Sequence, residues 1–555
     1  MKQPVLFSSV VICMTLGGLA CGPATQPPSD TRGAGDTLES FGTEVPAEDG
    51  DWLLVRMGAE PPHLNPITSS DAYASQINAH VFDTLLDRDP VTIESIPWLA
   101  ASWDISENKL EYTFHLRHGV VFSDGTPLTA EDVKFSFDKM MHPAVDAPHL
   151  RSYYVDVTNC EVLDEHTVRF TCSKPYYRHL VMLGDISVLP RHVYAEGEFN
   201  THPNNRKPIG SGAYVLERWE TGREIVLARN ARYWGRDGGK WPHFDKKIYK
   251  LITDENAAFQ VLERGDLDAM DLRAEDWVRR ATRPTFEQRF NKFAYYAPQY
   301  TYIGWNLRKP PFSDKKVRRA MTMLLDRETI RETIYYGLAQ TVAGNFMIGT
   351  PECNAEITPW PFDPAQAAAL LREAGWTDSD GDGHLDKDGT QFEFEMMIIN
   401  SSPVAEKICT IYQEELARVG IKMTIRMLDW AGMLERTDKR QFDAMMMGWQ
   451  MPPDPDPYQV WHSSQAEAGS NYVGFVNAEA DRLIEEARVS FDREERIRLY
   501  HRFSKILHDE QPYTFTFCRK SLLAVDRRVH GIRIYPFGPD PREWFVPKAT
   551  QRYGK

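Results

Sequence analysis

The stretch Leu110–Asp138, LEYTFHLRHGVVFSDGTPLTAEDVKFSFD, decides how the rest of the chain is read. Bulky residues alternate through Leu110–Leu116, which predicts a half-buried strand. His118-Gly119 turns the chain, Val120–Phe122 reads as a short second strand, and Ser123-Asp124-Gly125 as a tight turn. Thr129 stands three residues before Asp132, a capping-box spacing in which Asp has a shorter reach than Glu. The helix that follows carries Val133, Phe135, Phe137, Met140 and Met141 and stops at Pro143. No arrangement of residues here reads as catalytic, so the stretch reads as a structural unit.

The segment YTFHLRHGVVFSDGTPLTAEDV, with Pro97-Trp98-Leu99-Ala100-Ala101-Ser102-Trp103 upstream, resembles the signature of the extracytoplasmic solute-binding proteins of peptide and nickel ABC transporters, family 5. The resemblance runs through most of the chain. It implies an α/β, two-lobed periplasmic-binding-protein fold (type II, large three-domain variant) with a hinge and an interlobe ligand cleft. On this sequence the implied domains are I, from residues 50–90, 208–300 and 523–555; II, inserted over 91–207; and III, over 301–522.

Toward the amino end, Lys2, the apolar run Val5–Leu16 and the small residues before Cys21 read as an export signal. The run is too short to span a bilayer. Ala20-Cys21 resembles a lipobox, with Cys21 the lipidated residue, although Gly18 stands where that pattern prefers a branched side chain. Gly22–Asp49 is rich in Pro, Gly, Ser, Thr and acids and reads as a flexible tether. The expected location is therefore periplasmic or on the cell surface, anchored to a membrane by lipid.

The remaining length suits two or three domains, and 42% hydrophobic with 26% charged residues is a globular composition. A net charge of -15 argues against nucleic acid as a partner, because phosphate binding needs a basic surface. Cys160 and Cys172 flank a predicted hairpin, CEVLDEHTVRFTC, and a disulfide between them is expected of an exported protein. A one-residue slip in register would place them on opposite faces and forbid it. The loop Asp378-Ser379-Asp380-Gly381-Asp382-Gly383-His384-Leu385-Asp386 has oxygen donors at calcium-loop spacing, giving Asp378, Asp380, Asp382 and Asp386 as candidate ligands. Gly389 stands where an EF-hand would place its bidentate Glu, and an acidic surface turn is the alternative.

The ligand candidates come from the resemblance. Glu60, in the extended EPPHLNP segment, corresponds to the chain beside the family's cleft. Ile209–Tyr214 looks like its glycine-rich return into domain I, where Gly210 and Gly212 are expected to take conformations that other residues avoid. Tyr302 and Asn306 lie on the strand entering domain III and are candidates to line the cleft. Trp430, Leu434 and Trp449 match the residues that wall side-chain pockets in peptide-binding members. After the second tryptophan, oligopeptide binders commonly place an Asp that holds the ligand's amino terminus. This chain has Gln450-Met451-Pro452-Pro453, with acids only at Asp454 and Asp456, leaving Gln450 and Asp454 as candidates.

No G-x-x-x-x-G-K-[ST], G-x-S-x-G or H-E-x-x-H occurs, so ATP hydrolysis would belong to other subunits and a secreted hydrolase is disfavoured. The implied function is capture of di- or oligopeptides outside the cytoplasmic membrane for an ABC permease and its ATPase, by a monomer without a cofactor. The alternatives are the same fold binding a non-peptide solute, such as a nickel chelate or oligosaccharide, or acting as a ligand sensor.

Overall fold

The computed structural model describes residues 39–236 and 241–554; the proposed signal and Cys21 lie outside them. No helix of the described residues is long and apolar enough to cross a membrane. The decisive stretch folds locally as its pattern dictates. Strand Glu111–Leu116 buries Tyr112, Phe114 and Leu116, while Asp132 Oδ2 accepts from Thr129 N at 2.9 Å at the start of helix Ala130–Met141. Val120–Phe122 is not a full strand; its pairing is one bridge, Val121 to Pro127. The helix packs on a four-stranded antiparallel sheet made of Ala100–Ile105, Glu111–Leu116, Thr167–Cys172 and Val157–Asp164, in that order.

That sheet's hairpin corrects the disulfide expectation. Two bulges set Cys172 opposite Val157 and Cys160 opposite Phe170, so the cysteines are diagonal neighbours, and both are free buried thiols. Burial in the apolar core pushes each thiol up to about 12.

The largest sheet draws strands from three distant stretches of chain. Trp52–Met57 lies between Ala269–Asp271 and Lys246–Leu251, parallel to both, and Phe517–Asp526 runs antiparallel beside Ala269–Asp271. One guanidinium joins the parts. Arg528 Nε and Nη2 donate to the Asp268 carboxylate at 2.9 and 2.6 Å, Nη2 reaches Trp52 O at 2.8 Å, and Nη1 pairs with Asp51. Asp51 also accepts from the backbone of Tyr553 and Arg552, and Asp268 from Leu54 N. All three charged side chains are at most 3% exposed.

The expected tether ends earlier than Asp49. Ser40–Phe41 pairs with Arg533 and Ile532, and the Phe41 ring meets His530 edge-on at 5.2 Å, so the one bulky apolar side chain between residues 22 and 49 other than Leu38 and Val45 is captured by the carboxy-terminal strap. Gly210 and Gly212 are also explained differently. Neither has a positive φ; a Cβ would sit 2.0 Å from Val81 O at Gly210 and 2.4 Å from His80 O at Gly212, so the segment needs room against the end of helix Ala72–Val81.

The third unit is a five-stranded sheet in the order Lys422–Leu428, Glu393–Ile399, Ala444–Gln450, Gln299–Trp305 and Tyr513–Phe515, with an apolar core on each face. Two of the crossings between the two larger sheets run side by side. Ala297-Pro298 joins Phe290–Tyr296 to Gln299–Trp305, and Thr516 joins Tyr513–Phe515 to Phe517–Asp526. The crossings are bonded to each other, Ala297 N to Arg519 O at 3.0 Å and Thr516 N to Thr301 O at 2.9 Å, a two-strand hinge.

Arg528→Met would remove the principal counter-charge of two buried carboxylates, leaving Asp268 only the Arg552 guanidinium at 3.9 Å. A loss of about 3–5 kcal/mol of unfolding free energy is expected, read as a lowered denaturant midpoint; an unchanged midpoint would show that the network does not close this domain.

Candidate ligand-binding cleft

Between the two large sheets lies a chain of connected cavities. The wall on the first lobe is one face of its sheet, where Val55, Lys247, Tyr249, Ala269 and Asp271 line a chamber of about 590 Å³. Gln299 and Arg519, both at the hinge, line this chamber and also a smaller cavity of about 110 Å³ in the second lobe. A third, about 90 Å³, lies beside Pro452, Pro453 and Pro455 and shares Trp449 and Gln450 with the second. His80, Lys247 and Trp544 divide the chamber from a further compartment of about 650 Å³ toward the inserted domain.

The second-lobe cavity arises from sheet geometry. Glu393–Ile399 runs parallel to Ala444–Gln450 but pairs with it only at Met396–Ala444 and Met397–Met445. It then follows Lys422–Leu428 instead, so the strands splay and one edge of Met446–Gln450 is left open. Its other edge is fully paired to Gln299–Trp305. Trp430 starts the helix Trp430–Asp438, capped by Asp429, and stands on the same cavity as Met433, Trp449 and Gln450. Trp449 is half-buried; its ring lies parallel to Tyr302 at 6.4 Å and Tyr472 at 6.2 Å, and its Nε1 donates to Tyr513 Oη at 3.5 Å. An aromatic column thus holds one wall rigid.

The structure therefore brings Trp430, Trp449 and Gln450 together and removes other candidates. Tyr302 is 0% exposed and stacked on Tyr513 at 3.8 Å, so it lies inside the core and has no open face. Asn306 is 2% exposed, and its amide donates to the Phe442 and Arg440 carbonyls, so it fastens the end of its strand. Leu434 lies one position round the helix from Met433, the residue that reaches the cavity. Glu60 accepts from Trp219 Nε1 at 2.6 Å and Gly222 N at 3.0 Å, which ties it to a neighbouring hairpin away from the chamber.

Asp454 faces the inserted domain. Burial pushes its carboxyl above the usual range, while Arg178 and then Arg496 pull it back. It belongs to a contact between lobes: Tyr176 Oη donates to Asp456 Oδ2 at 2.5 Å, Tyr177 Oη donates to Pro455 O at 2.6 Å, and the Arg488 guanidinium lies 4.5 Å over Tyr176. Strand pairing in the sequence gives no hint of this contact, because Tyr176 and Tyr177 come from a loop of the inserted domain.

The acidic loop lies apart from the cleft. Carboxylates of Asp378, Asp380 and Asp382 come within 4.8 Å of one another, whereas Asp386 accepts from Ser379 N and Oγ at 2.8 and 2.7 Å and is outside the group. Loop amides already occupy oxygens of all three clustered acids.

Comparison with known proteins fits this geometry. The family model for bacterial extracellular solute-binding proteins, family 5 Middle, matches residues 94–471. The oligopeptide-binding protein AppA of Bacillus subtilis is 30% identical over 96% of this chain and 97% of its own. Its structure in complex with a nonapeptide superposes with a TM-score of 0.76 at 29% identity, covering 91% of this chain and 100% of that one. Di/tripeptide-binding protein 1 of Pseudomonas aeruginosa is 29% identical over 87% of this chain and 90% of its own. NikZ of Campylobacter jejuni, solved with Ni(L-His), gives a TM-score of 0.74 at 26% identity over 90% of this chain and 99% of that one.

Trp430→Ala and Trp449→Ala should each weaken ligand binding by about 1–3 kcal/mol, as truncated aromatic anchors do, with far-ultraviolet dichroism unchanged. Unaltered affinity in both variants would place the ligand elsewhere.

Proposed function

Because the chain belongs to the bacterial extracellular solute-binding proteins of family 5, we propose that it captures extended peptides in the interlobe cleft and hands them to an ABC permease. The observation that carries this reading is the open strand edge at Met446–Gln450, flanked by Trp430 and Trp449. An extended peptide adds to such an edge through main-chain hydrogen bonds, which are indifferent to its sequence. Alternate side chains then enter cavities walled by rigid aromatic and methionine surfaces, here Trp430, Met433 and Trp449, which accept varied shapes. A nickel chelate or sugar would make no use of that edge.

The two-strand hinge lets the lobes approach and exclude water, and the Tyr176–Asp456 and Tyr177–Pro455 contacts join the inserted domain to the second lobe. A ligand that contacts both lobes favours the approached form by its differential affinity for it. The closed shape is what a permease would read, with no covalent chemistry on this chain and no cofactor, in a monomer. Lipid on Cys21, followed by a polar segment to about residue 38, would hold the body outside the cytoplasmic membrane. Calcium, if taken up by Asp378, Asp380 and Asp382, would stiffen a surface turn far from this site.

Native mass spectrometry of the purified protein, followed by denaturation, should release a ladder of short peptide masses. A single non-peptide species would overturn the peptide reading and leave the binding class.

A further inference from the structure

Lys247 is a buried cation without an opposite charge. It is 2% exposed, and its ammonium meets His80 Nε2 at 3.4 Å and the Tyr214 ring at 5.1 Å; among the described residues no carboxylate lies within ion-pair distance of it. Burial, with Lys247 and Arg542 nearby, holds the His80 imidazole well below its usual range, so that ring stays neutral. Burial lowers the Lys247 ammonium itself to about 7, with Asp540 opposing and Arg542 adding to the shift. Trp544 is a second donor without an acceptor: it is 3% exposed, and its Nε1 has no hydrogen-bond partner among the described residues. Both side chains stand on the boundary between the chamber and the compartment of about 650 Å³ toward the inserted domain. Each acid that lines this compartment among the described residues is already engaged. Asp83 accepts from Trp98 Nε1, Trp234 Nε1 and Ser211 Oγ at 2.8, 2.9 and 3.0 Å. Arg542 bridges Asp540 and Asp87 at 2.7 and 2.5 Å, and Glu543 accepts from Tyr535 Oη at 2.8 Å.

We propose that this compartment is a second binding site, which takes a small aromatic carboxylic acid and receives its carboxylate on the Lys247 ammonium and the Trp544 indole N–H. A carboxylate has an oxygen for each donor and brings the negative charge that Lys247 lacks, so burial of the ammonium is compensated when the site is filled. The body of the acid lies among Phe82, Trp98, Tyr233, Phe244 and Phe545. Their rings suit a planar aromatic group, which gains from offset or edge-on contact. An aromatic wall with a few placed polar groups is the make-up of small-molecule sites, and the volume falls within their range of about 300–1,000 Å³. A zwitterionic peptide is a poor fit, because no acid of the compartment is free to take its ammonium. The site goes beyond the peptide reading, for it shares no lining residue with the cavities at Trp430 and Trp449.

The test uses the full chain and isothermal titration calorimetry with 3-phenylpropionate, indole-3-acetate and the two corresponding primary amides, which keep the shape and lose the charge. Wild type should bind at least one acid about tenfold or more tighter than its amide, as a charge-assisted pair implies. Lys247→Met should bring that acid and its amide to equal affinity, and Trp544→Phe should weaken the acid by about threefold or more. Neither exchange creates an unpaired charge, and an unchanged melting temperature checks that both variants fold. Trp449→Ala, which alters the peptide cleft, should leave the affinity for the acid at the wild-type value. Failure of wild type to bind either acid, equal affinity for acid and amide, or an acid affinity unmoved by Lys247→Met overturns the site and leaves the peptide reading standing. Loss of the acid in Trp449→Ala places it in the peptide cleft and overturns the separate site as well.

Discussion

The buried Arg528 guanidinium is the interaction on which the cleft depends. It reaches Asp51 at the start of one strand and Asp268 at the start of another, stretches that lie far apart in the chain. Backbone amides of Arg552 and Tyr553 close on Asp51 from the carboxy-terminal end. With these ends fixed, Trp52–Met57 and Ala269–Asp271 run parallel in one register. That register carries Val55, Ala269 and Asp271 to the face that walls the chamber. A charged network gives such a joint direction as well as strength, since an apolar contact would tolerate sliding that ion pairs do not.

The two lobes have different parts in recognition. The second offers an open backbone edge and aromatic walls, which supply affinity with little side-chain preference. The first offers one face of its sheet, where Val55, Tyr249 and Ala269 stand with the buried Lys247. Since Gln299 and Arg519 line both cavities from the hinge, the same crossings that allow movement also place the two surfaces against one ligand.

What the sequence made legible was local. Thr129 with Asp132 and the alternation in Leu110–Leu116 are decided within a few residues, and both form. Membership of family 5 was legible for the same reason, since its signature is such a local unit. Long-range pairing was not. Tyr302 sits on, and Asn306 just past, a strand whose sheet is covered on both faces, so alternation could not tell a cleft side from a core side. Phe41 found its partner near the opposite end of the chain. The cysteine diagonal depends on two bulges with no composition signal.

A crystal structure with a bound tetrapeptide bears most directly on this account. The ligand backbone should pair with Met446–Gln450, with side chains in the cavity between Trp430 and Trp449. A peptide lying in the compartment toward the inserted domain, unpaired with that strand, would contradict it.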